Sequence, residues 1–263
     1  ASHDNNKGLV SVFEYSGTGN WIKQGSDIIG ELEGGNFGQC VAINKTGDII
    51  SVGSNLNKGK VFSYKFNGTE WVQIGNTLDG TDDGDFFGSS VSLDSQGIIL
   101  IVGSTQTGND NHGKVSVYQY NGTTWDELQI INSDNNANSF GELVTLSADG
   151  ETILIASESS NKIFTYAFDS DTQMWSEFGN FLTISDNIKS ICTNRDGDFL
   201  LVGTTDGTTD TGSVSMYKKE NEDWQQFNDP NFHGTEHGEL FGSSVDCDDN
   251  AYVIAVGSPG FNN

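Results

Sequence analysis

Trp21, Trp71, Trp125, Trp175 and Trp224 are all the tryptophans of this chain, and they fall at nearly even steps of 50, 54, 50 and 49 residues. A period of that length belongs to a supersecondary unit that buries its apolar faces against copies of itself. Ahead of each tryptophan runs an alternating segment: VSVFEY from Val10, VFSYKF from Val61, VSVYQY from Val115, IFTYAF from Ile163 and VSMYKK from Val214. Alternation among β-branched and aromatic residues reads as a strand.

Past each tryptophan, a Phe-Gly step at Phe37, Phe87, Phe140 and Phe241 opens another strand, with Asn187-Ile188 holding the place in the fourth repeat. A turn follows at Gly47, Gly97, Gly150, Gly197 and Ala251, and a further strand ends at Gly53, Gly103, Ala156, Gly203 and Gly257. Four short strands per repeat, with no helix-period segment, is the pattern of a β-propeller. The expected fold is therefore all-β: one domain over 1–263, a β-propeller of five four-stranded blades at about 37–80, 87–133, 140–183, 187–233, and 241–263 together with 8–30. The chain starts on third- and fourth-strand motifs and ends on first- and second-strand motifs. Two strands from each terminus are thus expected to close the ring and leave no sheet edge. Gly88, Ser89 and Ser90, like Gly242, Ser243 and Ser244, are small enough for the crowded centre, which puts the Phe-Gly strand innermost.

Composition narrows the partners. With 37 Asp plus Glu against 12 Lys plus Arg, a net charge of −25 repels nucleic acid and anionic membranes, so neither is expected as a partner. No stretch reaches the roughly 18–20 apolar residues of a membrane span, so no direct membrane insertion is expected. The opening ASHDNNKG carries no hydrophobic signal, which reads as a mature product or a fragment. Cys40, Cys192 and Cys247 form neither a dense disulfide framework nor a CxxC pattern. Ring closure would make the strands of Cys40 and Cys247 neighbours, but the two align with different strand positions that face opposite sides, so the thiols are read as free and buried.

Taken together, Phe-Gly, SVSL, a DG-type turn, a VGS strand end and GxVxVYxxNGTxW resemble the FG-GAP repeats of integrin α-subunit propellers and their secreted relatives in bacteria and protists. The resemblance runs through nearly the whole chain in five copies. It implies an extracellular, non-enzymatic module for adhesion or for a surface filament, appendage or matrix, partnered by other proteins or by copies of itself. Two departures stand out: the Gly-Ala-Pro element survives only as Gly257-Ser258-Pro259 and weaker forms, and no stretch has the DxDxDG spacing of that family's calcium loops.

Two near-identical loops attract a metal reading, GTDDGDFFGSSV from Gly80 and GTEHGELFGSSV from Gly234. Asp79, Asp82, Asp83 and Asp85 offer hard oxygens of the kind calcium takes; His233, Glu236, His237 and Glu239 offer a set suited to a transition metal. What persists in the copies is instead the glycine pair Gly30/Gly34, Gly80/Gly84 and Gly234/Gly238, which favours a structural crossover between blades. No cofactor is demanded by any motif, and calcium is the one candidate. Asn44, Asn67 and Asn121 head N-glycosylation sequons, and Asn67-Gly68 and Asn121-Gly122 read as type I′ hairpin turns. The tryptophans read as packing residues, or as stacking platforms of a carbohydrate-binding propeller with glycans as ligands. Catalytic signatures such as GxSxG or HExxH are absent, and His3, His112, His233 and His237 lie in expected loops. The functional expectation is accordingly a non-enzymatic extracellular module, with a lectin as the alternative and a hydrolase working at the propeller axis as the third reading.

Overall fold

The alternating segments build antiparallel meanders in the computed structural model, which describes residues 7–106, 112–133, 139–221, 223–227 and 232–260. His3 and much of the expected seam between the termini lie outside the described residues. The chain divides into two units, Ala1–Ile131 and Asn132–Asn263. In the first, β1 (Leu9–Val10), β2 (Phe13–Tyr15), β3 (Trp21–Lys23) and β4 (Ile28–Ile29) form two short ladders, β1 with β4 and β2 with β3. Two four-stranded sheets follow. One is β5 (Val41–Ile43), β6 (Ile49–Ser54), β7 (Lys60–Phe66) and β8 (Trp71–Asp79); the other is β9 (Ser90–Leu93), β10 (Ile99–Ser104), β11 (Lys114–Tyr120) and β12 (Trp125–Asn132).

The second unit repeats this plan with a split last strand. Its first sheet runs β13 (Phe140–Leu146), β14 (Thr152–Ser157), β15 (Lys162–Asp169) and β16 (Met174–Glu177), with β17 (Leu182–Thr183) pairing further along β15. Its second runs β18 (Asn187–Thr193), β19 (Phe199–Thr205), β20 (Ser213–Glu220) and β21 (Asp223–Gln226), with β22 (Phe232–His233) pairing further along β20. A last pair, β23 (Ser244–Cys247) and β24 (Ile254–Gly257), stands as a two-stranded sheet. The all-β, propeller-like class follows: β5 to β8, β9 to β12, β13 to β16 and β18 to β21 each form a four-stranded antiparallel meander in chain order. The fourth strand is continuous in the first unit, where β8 spans a register shift between Val61 and Ser63 of its partner, and is split in the second into β16 and β17 and into β21 and β22.

The second strands β6, β10, β14 and β19 are buried on both faces, β6 and β14 at all six residues, which is why the apolar runs do not alternate cleanly. Within the first unit, Leu100, Val102, Phe87 and Trp125 share a core with Val61 and Leu78; within the second, Leu154, Ala156 and Ile163 pack with Ile188, Leu200 and Val202. The Phe-Gly phenylalanine is a core plug, Phe87 meeting Tyr118 edge-on at 6.3 Å and Phe140 meeting Phe164 at 5.3 Å.

Two glycines set the spacing of consecutive sheets. A Cβ on Gly203, at the Val-Gly end of β19, would lie 2.0 Å from the carbonyl oxygen of Gly242 in the next Phe-Gly step, and one on Gly53 would lie 2.2 Å from that of Gly88. The same carbonyls accept hydrogen bonds from Ser190 Oγ at 2.8 Å and Cys40 Sγ at 3.0 Å. At the other end of the innermost strands a polar side chain closes every turn. Asn44 Oδ1 accepts from Asp48 and Ile49, Asp94 Oδ1 from Ile98 and Ile99, Ser147 Oγ from Thr152, Asn194 Oδ1 from Asp198 and Phe199, and Asp248 Oδ1 from Val253. Consecutive turns are tied by Lys45 N–H to Ser95 O, Ala148 N–H to Arg195 O and Arg195 N–H to Asp249 O.

The Asn-Gly hairpins differ from expectation. Gly68 and Gly122 have positive φ (96° and 97°) while Asn67 and Asn121 do not. Asn67 N–H donates to Glu70 O, and its Oδ1 accepts from Thr69 and Glu70. The turn is thus centred on Gly-Thr, with the asparagine side chain holding it, in place of a type I′ turn on Asn-Gly.

Gly203→Ala is expected to cost about 1–3 kcal/mol by forcing two backbones apart, read as a lower denaturant midpoint at unchanged slope. A loss below about 0.5 kcal/mol, the range of an ordinary surface change, would show that the contact does not set the spacing.

Candidate functional site

The residue after each Phe-Gly step is Gln39, Ser89, Glu142, Lys189 and Ser243 in the five repeats. Only the third and fourth are charged, with opposite signs. Both sit at slips in their ladders: the pairing of β13 with β14 shifts between Phe140 and Leu143, and that of β18 with β19 between Ile188 and Ser190. A bulge of this kind takes a side chain off the regular pleat and re-aims it. Glu158 joins them from the 3-10 turn Glu158–Ser160 after β14, which Asn161 ends in the left-handed conformation at φ 51°. Lys189 Nζ pairs with Glu158 Oε1, and the Glu142 carboxyl hydrogen-bonds to Glu158. Glu158 and Lys189 keep 31% and 37% of their side-chain surface open, so the group is reachable from solvent.

The surroundings decide the protonation. Burial, the charge of Glu158 and the hydrogen bond to it raise the Glu142 pKa to about 7, against the pull of Lys189. A carboxylic acid beside a carboxylate donates to it, so the neutral form is the hydrogen-bonded one. Near pH 7 Glu142 therefore divides between acid and base, the condition for moving a proton in either direction. The adjacent ammonium gives a fixed positive charge for a developing anion.

The sequence-selected loops have other work. Asp85 is buried, and its Oδ2 accepts the N–H groups of Thr81 and Asp82 and lies 3.5 Å from Lys114 Nζ. Asp79 pairs with Lys60, and Asp82 and Asp83 are exposed. Glu239 closes its own loop in the same way on Thr235 and Glu236, which holds its carboxyl below the usual range. Among the described residues no three His, Cys, Asp or Glu side chains converge as metal ligands. His233 lies on exposed β22 and His237 is exposed. Asn44 is buried with its amide committed to Thr46 and Asp48, whereas Asn67 and Asn121 stand exposed at hairpin tips. Trp125 and Trp175 are buried; Trp71 Nε1 donates to Gln24 O and Trp224 Nε1 to Thr165 Oγ1. Packing accounts for these four, and Trp21 alone is widely exposed.

No protein-family model matches the chain, and no curated protein matches it in sequence. Solved structures do match its fold. A protein of unknown function from Desulfotomaculum acetoxidans superposes with a TM-score of 0.68 at 15% identity, over 97% of this chain and 71% of that one. The periplasmic gluconolactonase PpgL of Pseudomonas aeruginosa gives 0.63 at 15% identity, over 94% and 75%. A candidate 6-phosphogluconolactonase of Bacteroides uniformis gives 0.53 at 11% identity, over 94% and 83%. These neighbours overturn the FG-GAP assignment, and with it the expectation of a non-enzymatic, integrin-like adhesion or structural module, with the lectin as its alternative. The resemblance rested on a plugging phenylalanine, glycines at a backbone contact and an asparagine-held hairpin, features that the packing of these sheets itself requires.

Glu142 makes stability depend on pH with a definite sign. Its folded pKa lies above the unfolded value, so the folded chain binds more protons, and stability is lost as pH rises from about 4.5 to about 7. Glu142→Gln is expected to flatten that segment of a melting-temperature profile; an unchanged slope would contradict the assignment. For the loops, melting with and without chelator is expected to give one midpoint, since Asp85 is already satisfied internally; a chelator-induced drop would restore calcium. Secretion from a eukaryotic host should add glycans at Asn67 and Asn121 and leave Asn44 bare in peptide mass maps, an order that glycan on Asn44 would reverse.

Proposed function

We propose that this chain is a hydrolase of cyclic esters of the sugar-acid lactone class, acting where Glu142, Glu158 and Lys189 meet. The observation that carries the reading is the Glu142 carboxyl, raised to about 7 beside a second carboxylate and an ammonium. Support from outside the chain comes from two structural neighbours, one named as a periplasmic gluconolactonase and one as a candidate 6-phosphogluconolactonase. Among the described residues no helix is long and apolar enough to cross a membrane, and we assign the activity to an extracytoplasmic compartment.

The chemistry needs one water and no net redox change. The Glu142 carboxylate takes a proton as water adds to the lactone carbonyl carbon, and Lys189 faces the oxyanion that forms. Collapse breaks the bond to the ring oxygen, which receives the proton back from Glu142. The product is a hydroxy acid that ionises at neutral pH. Glu158 holds Lys189 in place and keeps the Glu142 pKa high enough for both halves of the cycle.

The scaffold of this reading is the five-bladed ring expected from the repeats, with β23–β24 supplying the inner and β2–β3 the outer strands of the last blade. It is supported by the two-stranded state of both pairs, by the exposed apolar side chains Phe13 and Trp21 on β2 and β3, and by exposed Tyr252 and Val253 in the turn before β24.

Acid release from a sugar-acid δ-lactone, followed in a pH-stat at neutral pH, is expected to exceed the spontaneous rate. Glu142→Gln is expected to lower kcat about 100-fold, the lower bound for a lost general base. A wild-type rate equal to spontaneous opening would remove the proposal.

A further inference from the structure

Cys192, on β18, and Cys247, on β23, come from the innermost strands of consecutive repeats, and their Sγ atoms lie 3.2 Å apart. The strands that carry them are clamped on both sides of the pair. Ser190 Oγ donates to Gly242 O at 2.8 Å before it, and Arg195 N–H donates to Asp249 O at 3.1 Å beyond it. The thiols are therefore held together by backbone register. Cys192 is buried and Cys247 is partly open. The third cysteine makes an internal comparison: Cys40 Sγ donates to Gly88 O at 3.0 Å, and burial pushes its thiol up to about 12.

We propose that Cys192 and Cys247 form a disulfide that staples β18 to β23, made by exchange with a low-molecular-weight disulfide such as oxidised glutathione. Cys247 is the entry point because it is the reachable sulfur. The hydrogen bond between the two thiols lowers the pKa of Cys247, while the same bond, then burial and the neighbouring thiolate, raise that of Cys192. Asp246, Asp248 and Asp249 oppose the Cys247 thiolate, which makes the exchange slower than at an electropositive site. The Cys247 thiolate attacks one sulfur of the oxidant and expels one thiolate, leaving a mixed disulfide. Cys192 then loses its proton, attacks the Cys247 sulfur and expels the second thiolate. Two protein thiols are oxidised and one small disulfide is reduced to two thiols. The sulfurs must close from 3.2 Å to about 2.0 Å, a movement that side-chain rotation at the open Cys247 supplies.

The bond would tie the last described strand pair, β23–β24, to the sheet before it, independent of any lactonase activity. The test treats folded protein with oxidised glutathione, blocks free thiols after denaturation and maps peptides without reductant. The expected result is a Cys192–Cys247 cross-linked peptide 2 Da below the sum of its parts, with Cys40 alone alkylated. Reductant should then lower the melting temperature of the oxidised protein by about 5–10 °C and leave that of Cys247→Ser unchanged. Three alkylated cysteines after treatment, glutathione trapped on Cys247 without resolution, or a bridge to Cys40 would each overturn the proposal, and all three are read on the wild-type chain.

Discussion

Successive sheets approach so closely at the Val-Gly end of one repeat and the Phe-Gly step of the next that no Cβ fits between them. At Gly203 and Gly53 the gap to the facing carbonyl is about half of an ordinary carbon–oxygen contact once a Cβ is built. That contact brings the second strands into layers with both faces covered, lets Phe87 or Phe140 reach a neighbouring ring, and makes room for a small polar side chain, Ser190 or Cys40, to bond across the junction. The side-chain-closed turns at the far end of the same strands, strung by backbone bonds such as Arg195 to Asp249, hold the other side of each junction. Sheets spaced in this way present the residue after Phe-Gly at equivalent places in every repeat.

The candidate site uses that equivalence. A glutamate on one innermost strand and a lysine on the next, Glu142 and Lys189, are turned by two bulges toward one 3-10 turn. Glu158 is placed between a cation, with which it pairs, and a second acid, whose pKa it raises. The same acid pushed up by burial and by a like charge is a small liability to folding at neutral pH and a usable proton carrier. A structural ion pair would have needed only Lys189 and Glu158; the third group is what gives the cluster chemistry.

Much of the architecture was legible in the residues. The even tryptophans, the alternating segments and the glycine-ended strands place nearly all of β5 to β24 at the expected positions, because strand periodicity and turn chemistry are local. The breaks that split the fourth strands of the second unit were not legible, since they depend on where β16 and β17, or β21 and β22, pair along one partner strand. Nor was the true hairpin turn, where the Asn67 side chain outcompetes its own backbone for the turn. The site is hidden for a different reason: the densest acids, in Gly80–Val91, fold back on their own amides through Asp85. The signal that would have found it is the substitution series Gln39, Ser89, Glu142, Lys189, Ser243, in which a repeat otherwise built of neutral residues turns charged twice in succession. The family resemblance misled because it rested on residues that the packing itself demands.

The central claim is the protonation state of one side chain. Carbon-13 titration of the Glu142 carboxyl in the intact chain measures it directly. The account predicts a midpoint near 7 that falls toward the ordinary carboxylate range in Glu158→Gln, where the neighbouring charge is gone. A wild-type midpoint at the ordinary glutamate value, about 4.3, would contradict it.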